Sequence, residues 1–330
     1  MKVIIPVAGA GTRLRPHTHT QPKTLVPIAG KPILAHIVDD LISYGFKQFV
    51  FVLGYMGEKV EDFIKNHYQN QIEVEFVVQE PREGSAHALW VAKHTYEKEQ
   101  DILIVLGDTI APMDYKSLLK NKNSVVGIKK VSNPMLFGIV QVGKKGEVTS
   151  LIEKPKIPKS NLALVGVYKI SNIALFLEGI EFVMQKNKKT QNEYYLTDVL
   201  MYMVEKGEHI QTMTVEHWYD CGKRETLLEA NAILLNKSEF KNAVNTYPNT
   251  IIIPPVSIGA NCQVNNSIIG PNVAIGEDTI LENAIVSNSI IGSYSELSNV
   301  VLKDSIVGND SSLKGESYVL SIGDNAEINL

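Results

Sequence analysis

The sequence predicts an α/β domain built on a mostly parallel sheet, followed by a parallel β-helix. Three observations carry this. Residues 2–108 alternate short apolar runs with amphipathic, helix-periodic segments, the β-α-β-α pattern of parallel pairing. Two strand-like runs, one in residues 101–108 and one near residue 219, stop at an aspartate, where a parallel sheet opens its ligand crevice. From Ile258 onward an aliphatic residue recurs about every sixth position, often followed by glycine, which is a hexapeptide repeat.

The first strand is the apolar run from Val3 to Val7. Gly9 and Gly11 follow, so the backbone can turn sharply and present amide groups to an anion. Thr12, Arg13, Arg15 and Lys23 add a hydroxyl and three cations to the same loop, whose wandering Pro16, Pro22, Pro27 and Pro32 restrict. Such a loop suits a triphosphate. Leu14 stands where the dinucleotide fingerprint needs its third glycine, and no GxxxxGK[ST] occurs, so neither that motif nor a P-loop is present.

A helix is expected over 32–45, with Pro32 in its first turn and Gly45 ending it. Strand Phe49–Leu53, a helix over 57–67 and strand Val74–Val78 follow. Gln79 and Gly84 then lead into a helix reaching about Tyr96, and small residues there let a flat ring approach the backbone. His87 reads as a packing or polar residue at the helix start. Residues 101–108 form a strong strand ending on Asp108, whose carboxylate suits Mg²⁺ held jointly with phosphate oxygens. Four further strand-like runs between Val125 and Ile170 suggest an insertion laid against the sheet. A helix from Asn192 to about Lys206, a strand 210–215, a short strand ending on Asp220 and a helix 223–236 complete this half.

The loop 7–32 resembles the signature of the sugar-1-phosphate nucleotidylyltransferases, GxGTRxxP…PKxLxPxxGKP, almost position for position. The resemblance implies a Rossmann-like sheet of the nucleotide-diphospho-sugar type and a β-helix of left-handed sense. It implies catalytic roles for Arg13, Lys23 and Lys154, and nucleotide binding by Gly9, Gly11, Thr12, Gln79 and Gly84. The sugar phosphate would meet Gly138, Glu153, Lys154, Gly166 and Tyr168, because Phe137-Gly138, Glu153-Lys154-Pro155 and Gly166-Val167-Tyr168 match the family's contacts in order. Asp108 and Asp220 would be the metal ligands, with Mg²⁺ as cofactor. Implied substrates are dTTP and α-D-glucose 1-phosphate. The alternative is UTP with glucose 1-phosphate or N-acetylglucosamine 1-phosphate, which segment 193–198 resembles. A GDP-mannose-forming activity fits the Gly84–Ala88 stretch less well. A silent regulatory subunit would be marked by loss of the cations or acids, and all are present. One departure is Gln191, where some thymidylyl members carry a basic residue.

The expected domains are 1–236, a linker 237–255 rich in Asn and Pro, and a β-helix 256–330 of roughly four coils at about 18 residues each. All eight histidines lie at or before His217, so the repeat lacks the histidine base that acyltransferases on such helices use. Assembly is the expected role, giving a homo-oligomer. Apolar residues make up 44% and charged residues 21% of the 330, as in globular proteins with ample core. Residues 241–330 hold three lysines, no arginine and nine acids, and the remainder is nearly neutral, so no nucleic-acid partner is expected. The amino terminus is interrupted by Pro6 and followed by arginines, unlike a signal peptide, and no apolar run approaches the roughly 18 residues of a membrane span. With only Cys221 and Cys262, far apart, a reducing cytoplasm is expected.

Overall fold

A computed structural model describes residues 1–236 and 247–316. Contacts divide the chain into two compact units: Met1–Val26 with Lys31–Leu227, and Pro27–Gly30 with Leu228–Leu330.

The first unit is organised on a nine-stranded sheet: β1 (Lys2–Pro6), β2 (Gln48–Leu53), β3 (Glu73–Val78), β4 (Ile102–Val105), β5 (Val125–Lys130), β6 (Gly138–Val142), β7 (Val148–Glu153), β8 (Leu162–Ile170) and β9 (Gln211–Thr214). Its Rossmann-like half runs β3-β2-β1-β4, all parallel, with Ile4 beside Val50 on one side and Ile104 on the other. Every residue of β4 and the central residues of β1 are buried, so these strands read as continuous apolar runs rather than alternating ones. The helices expected between them are Ile33–Ser43 and Gly57–Tyr68, while the next is split at Ala92 into Ser85–Val91 and Lys93–Tyr96.

The other half corrects one expectation. The strands between Val125 and Ile170 do not lie against the sheet; they extend it. The long strand β8 pairs antiparallel with β4 through Val167–Ile170, and with β5 and β6 through its amino-terminal end. One strand serves three partners because its register shifts between Leu164 and Tyr168, around Gly166 at φ +84°. The Gly166 carbonyl, turned out of the ladder, accepts from Leu106 N–H at 2.8 Å. β4 itself stops at Val105, three residues short of Asp108, which lies in the turn before a small antiparallel pair, Thr109–Ile110 with Tyr219–Asp220.

The second unit carries the left-handed parallel β-helix, three four-stranded parallel sheets stacked coil upon coil. Neighbours such as Ile251, Ile268, Ile285 and Val301 follow at 17, 17 and 16 residues, shorter than the expected coil. The strand Ile251–Ile252 that begins this series lies inside the stretch 237–255 read as linker. Val264, Leu281, Leu297 and Leu313 form one in-register aliphatic column. A glycine column also runs through it: a Cβ on Gly259, Gly276 or Gly292 would lie 2.4–2.5 Å from backbone nitrogen of the next coil. Asn and Asp occupy nearly all the corners, among them Asn266, Asn283 and Asn299, at positive φ that these short polar side chains tolerate. A third column is polar. Thr279 Oγ1 and Ser295 Oγ donate to the Gly292 and Gly308 carbonyls, and the Cys262 thiol donates likewise to Gly276. Segment 237–246 and the pair Ile322-Gly323 lie outside the described residues.

In this unit the turn Pro27–Gly30 is held by Asn231 of helix Arg224–Leu235. Asn231 accepts from Ala29 N–H at 2.8 Å and donates to the Asn272 carbonyl at 3.2 Å.

Candidate active site

The first loop folds into two short 3₁₀ turns, Thr12–Leu14 and Lys23–Leu25, rather than an open cradle. Gly11, at φ +61°, precedes the first, and a Cβ there would lie 2.8 Å from Lys23 Cβ. The amides after Gly11 and the Lys23 stem are thus packed together. Thr18 Oγ1 closes the loop onto the Gly11 carbonyl at 2.9 Å. Gly9 faces open space, while Thr12 and Arg13 are exposed.

Lys23 is 6% exposed, and its Nζ donates to Asp108 Oδ2 at 2.7 Å. Burial of the Asp108 carboxyl opposes ionisation, but the Lys23 ammonium outweighs it, aided by Thr109 and Arg13, and holds the pKa below the ordinary carboxylate range. Asp220 is opposite Thr109 in the small antiparallel pair, and Cys221 N–H donates to the Asp108 carbonyl, so the two aspartates stand on adjacent strands. Burial pushes the Asp220 pKa up against the pull of Lys23; the Asp108 charge adds to that push and Arg13 opposes it. Gly222 admits this crowding, since a Cβ there would meet Asp220 Oδ1 at 2.7 Å and an Arg13 guanidinium nitrogen at 2.9 Å. Arg13, Lys23, Asp108 and Asp220 therefore converge, drawn from four separate stretches of chain.

Beside them is the turn after β3. Gln79 is buried, and its Nε2 donates to the Gly84 carbonyl at 2.9 Å and lies 3.1 Å from His87 Nδ1. His87, buried as expected for a packing residue, has its pKa lowered, chiefly by burial. Gly84 sits at φ +102°, and a Cβ there would lie 2.5 Å from the Tyr194 carbonyl oxygen. A pocket of about 420 Å³ opens next to Gln79, lined by Gly54, Tyr55, Val78, Pro81 and Arg82 among others.

The third group gathers at the end of β7. Glu153 Oε2 accepts from Thr197 Oγ1 at 2.6 Å, and both atoms crowd Gly138, where a Cβ would be 2.9 and 3.0 Å away. Burial raises the Glu153 pKa, with Thr197 and Lys154 opposing it. Lys154, at φ +40°, donates to Tyr195 Oη at 2.8 Å. Gly166 forms the β8 bulge, and Tyr168, 5% exposed, belongs to the apolar core, with Glu153 and Asp108 near enough to raise its pKa further beyond the effect of burial. Sequence reasoning missed Tyr194, Tyr195 and Thr197 as site residues; they precede or open helix Leu196–Glu205, and only the Glu193–Asp198 resemblance pointed at them.

Among the described residues no group of three or more His, Cys, Asp or Glu is arranged to hold a metal alone. Two adjacent carboxylates do fit Mg²⁺, which takes one or two protein carboxylates and completes its shell with phosphate and water.

A sequence model of the nucleotidyl transferase family matches residues 2–237. The chain belongs to that family. Its relatives place this nucleotidyl transferase among the sugar-1-phosphate nucleotidylyltransferases that the first loop resembles. It is 31% identical over 317 residues to the low-salt glycan biosynthesis nucleotidyltransferase Agl11 of Haloferax volcanii, covering 88% of this chain and 87% of that protein. It is 33% identical over 309 residues to the bifunctional protein GlmU of Methanococcus vannielii, covering 88% and 72%. Against the glucose-1-phosphate thymidylyltransferase of Streptomyces antibioticus it is 30% identical over 304 residues, covering 89% and 82%. The crystal structure of a UDP-glucose pyrophosphorylase complexed with UDP-glucose shares the fold, with a TM-score of 0.62 and 23% identity over 72% of this chain and 98% of that one. No described helix of this nucleotidyl transferase is long and apolar enough to cross a membrane.

Proposed function

We propose that this nucleotidyl transferase couples dTTP to α-D-glucose 1-phosphate, releasing pyrophosphate and dTDP-glucose. The supporting observation is the convergence of Arg13 and Lys23 with Asp108 and Asp220 beside the Gln79–Gly84 turn. In the reaction a phosphate oxygen of the sugar phosphate forms a bond to the α-phosphorus while the bond from that phosphorus to the bridging oxygen breaks, and pyrophosphate leaves with the electron pair. The protein's part is positioning and charge stabilisation. Arg13 and Lys23 face the negative charge that builds on the phosphates. Magnesium, held by Asp108 and Asp220, would neutralise phosphate charge when bound. Gly9, Gly11 and Thr12 offer loop amides and a hydroxyl to the nucleotide.

The base edge is met by Gln79. Its amide nitrogen already faces the Gly84 carbonyl and His87, so the group left to a ligand is the acceptor oxygen. An acceptor suits the N3–H of thymine or uracil. Lys154 meets the sugar phosphate, and Glu153 accepts from sugar hydroxyls at the surface formed by Gly138, Gly166 and Tyr168. Thymine and uracil differ by one methyl, a discrimination of only about 1–3 kcal/mol. UTP is therefore the second reading, favoured by the Glu193–Asp198 segment. Pyrophosphate release from four nucleotides against glucose 1-phosphate, N-acetylglucosamine 1-phosphate and mannose 1-phosphate tests both. Highest kcat/KM with dTTP and glucose 1-phosphate is expected; a preference for UTP moves the assignment to the second reading, and no release with any pair refutes both.

A further inference from the structure

Lys154 is fixed at both ends. Its N–H donates to the Phe137 carbonyl at 3.0 Å, and its backbone sits in the left-handed region, where lysine is rare. At the other end Nζ donates to Tyr195 Oη at 2.8 Å and lies 4.7 Å from the centre of the Tyr195 ring. Gln191 Oε1 is 3.4 Å away and Glu153 Oε1 3.9 Å. The Tyr195 hydroxyl is itself hydrogen-bonded to the Glu193 carboxylate.

We infer that Tyr195 is the positioning residue for Lys154, holding its ammonium toward the phosphate of the sugar substrate with a neutral oxygen and an aromatic face. The inference rests on the reading of Lys154 given above. Lys23 shows the contrast: its partner is a carboxylate at 2.7 Å, which offsets its charge. A phenol fixes the direction of an ammonium without supplying an anion that an incoming phosphate must displace. The ring adds attraction of its own, because the negative face of its quadrupole meets the cation. Burial, reinforced by Glu193 and Glu153, raises the phenol's pKa, so it stays neutral across working pH. Holding a flexible four-carbon stem in one place lowers the entropy lost when the phosphate arrives.

The test uses the full chain and Tyr195→Phe, Lys154→Met and the double variant. Steady-state rates are combined with calorimetric affinity for glucose 1-phosphate in the presence of magnesium and a non-cleavable dTTP analogue. Tyr195→Phe should weaken glucose 1-phosphate binding and raise its KM about tenfold, the worth of one hydrogen bond to a charged group. The KM for the nucleotide should stay within about twofold, as expected for separately bound substrates. Adding Tyr195→Phe to Lys154→Met should cost nothing more. Tyr195→Leu, which also removes the ring, should bind more weakly than Tyr195→Phe. The inference is overturned if Tyr195→Phe binds glucose 1-phosphate normally, if both KM values rise together, or if its effect persists undiminished in the Lys154→Met chain. An unaltered chain that binds but does not turn over still reports through the affinity cycle. One that neither binds glucose 1-phosphate nor releases pyrophosphate refutes the reading of the site, and the Tyr195 role with it.

Discussion

The two units hold their essential residues in opposite ways. In the β-helix each constrained position repeats: a glycine, a buried hydroxyl and an aliphatic side chain recur at 16 or 17 residues, and each touches its own counterpart one coil away. In the nucleotidyl transferase unit nothing repeats. Lys23 meets Asp108 across 85 residues, Thr197 meets Glu153 across 44, and Lys154 meets Tyr195 across 41. Periodic contacts build stability, whereas one-off contacts build a site. Substitutions in the two places should therefore fail differently.

The largest expected effect is on rate. Asp108→Asn keeps the shape of the side chain and removes a charge from the phosphate crevice, so turnover should fall by about 10²–10³ with little change in melting temperature. Wild-type pyrophosphate release by this variant would remove Asp108 from the site. Gly292→Val should do the reverse. Its Cβ would enter the next coil at 2.5 Å from the Asn309 nitrogen, so the β-helix should lose about 1–3 kcal/mol. Denaturant unfolding measures that loss, and an unchanged midpoint would break the comparison.

A smaller effect is expected at Glu153, where the two kinds of failure meet. Its folded pKa is raised by burial, so its contribution to stability is full below the unfolded value and is lost as pH rises through the folded one. Sugar binding needs the ionised form and should improve over the same range. Thr197→Val removes the 2.6 Å hydrogen bond to the carboxylate, so the pH at which the sugar phosphate KM improves should move upward. A profile that stays in place would show that Glu153 does not contact the sugar. The smallest effect belongs to Cys262→Ser. A serine keeps the donor that the thiol directs at the Gly276 carbonyl, so stability should change by less than about 1 kcal/mol, while Cys262→Val should cost more. Equal losses in both variants would show that packing, not the hydrogen bond, governs that column.

These differences also explain what could be read before the structure was seen. The β-helix was legible because its contacts echo in the sequence at a fixed spacing, and the parallel half of the sheet because β1, β2 and β4 are apolar throughout. Arg13, Lys23 and Asp108 were legible because loop glycines and strand ends mark them locally. The joining of β5 to β8 into one sheet was not, because it depends on a bulge at Gly166, and a lone glycine does not announce its register. Tyr195 and Thr197 were hidden for a different reason. Each looks like an ordinary residue at a helix start, and its meaning lies in a partner some forty residues away. The coil of 16 or 17 residues, rather than 18, reflects shorter corners that no aliphatic spacing reveals.

The hydroxyl-to-glycine column has a consequence for how this half of the molecule can change. Each coil offers its successor the same acceptors and the same aliphatic floor, so a whole coil could be excised or duplicated and the joint would still match. Growth by such units alters the reach of the structure without requiring any invention at the seam. A single inserted residue, by contrast, throws every later rung out of step, which makes the spacing of the repeat a stronger inheritance than the identity of most side chains within it.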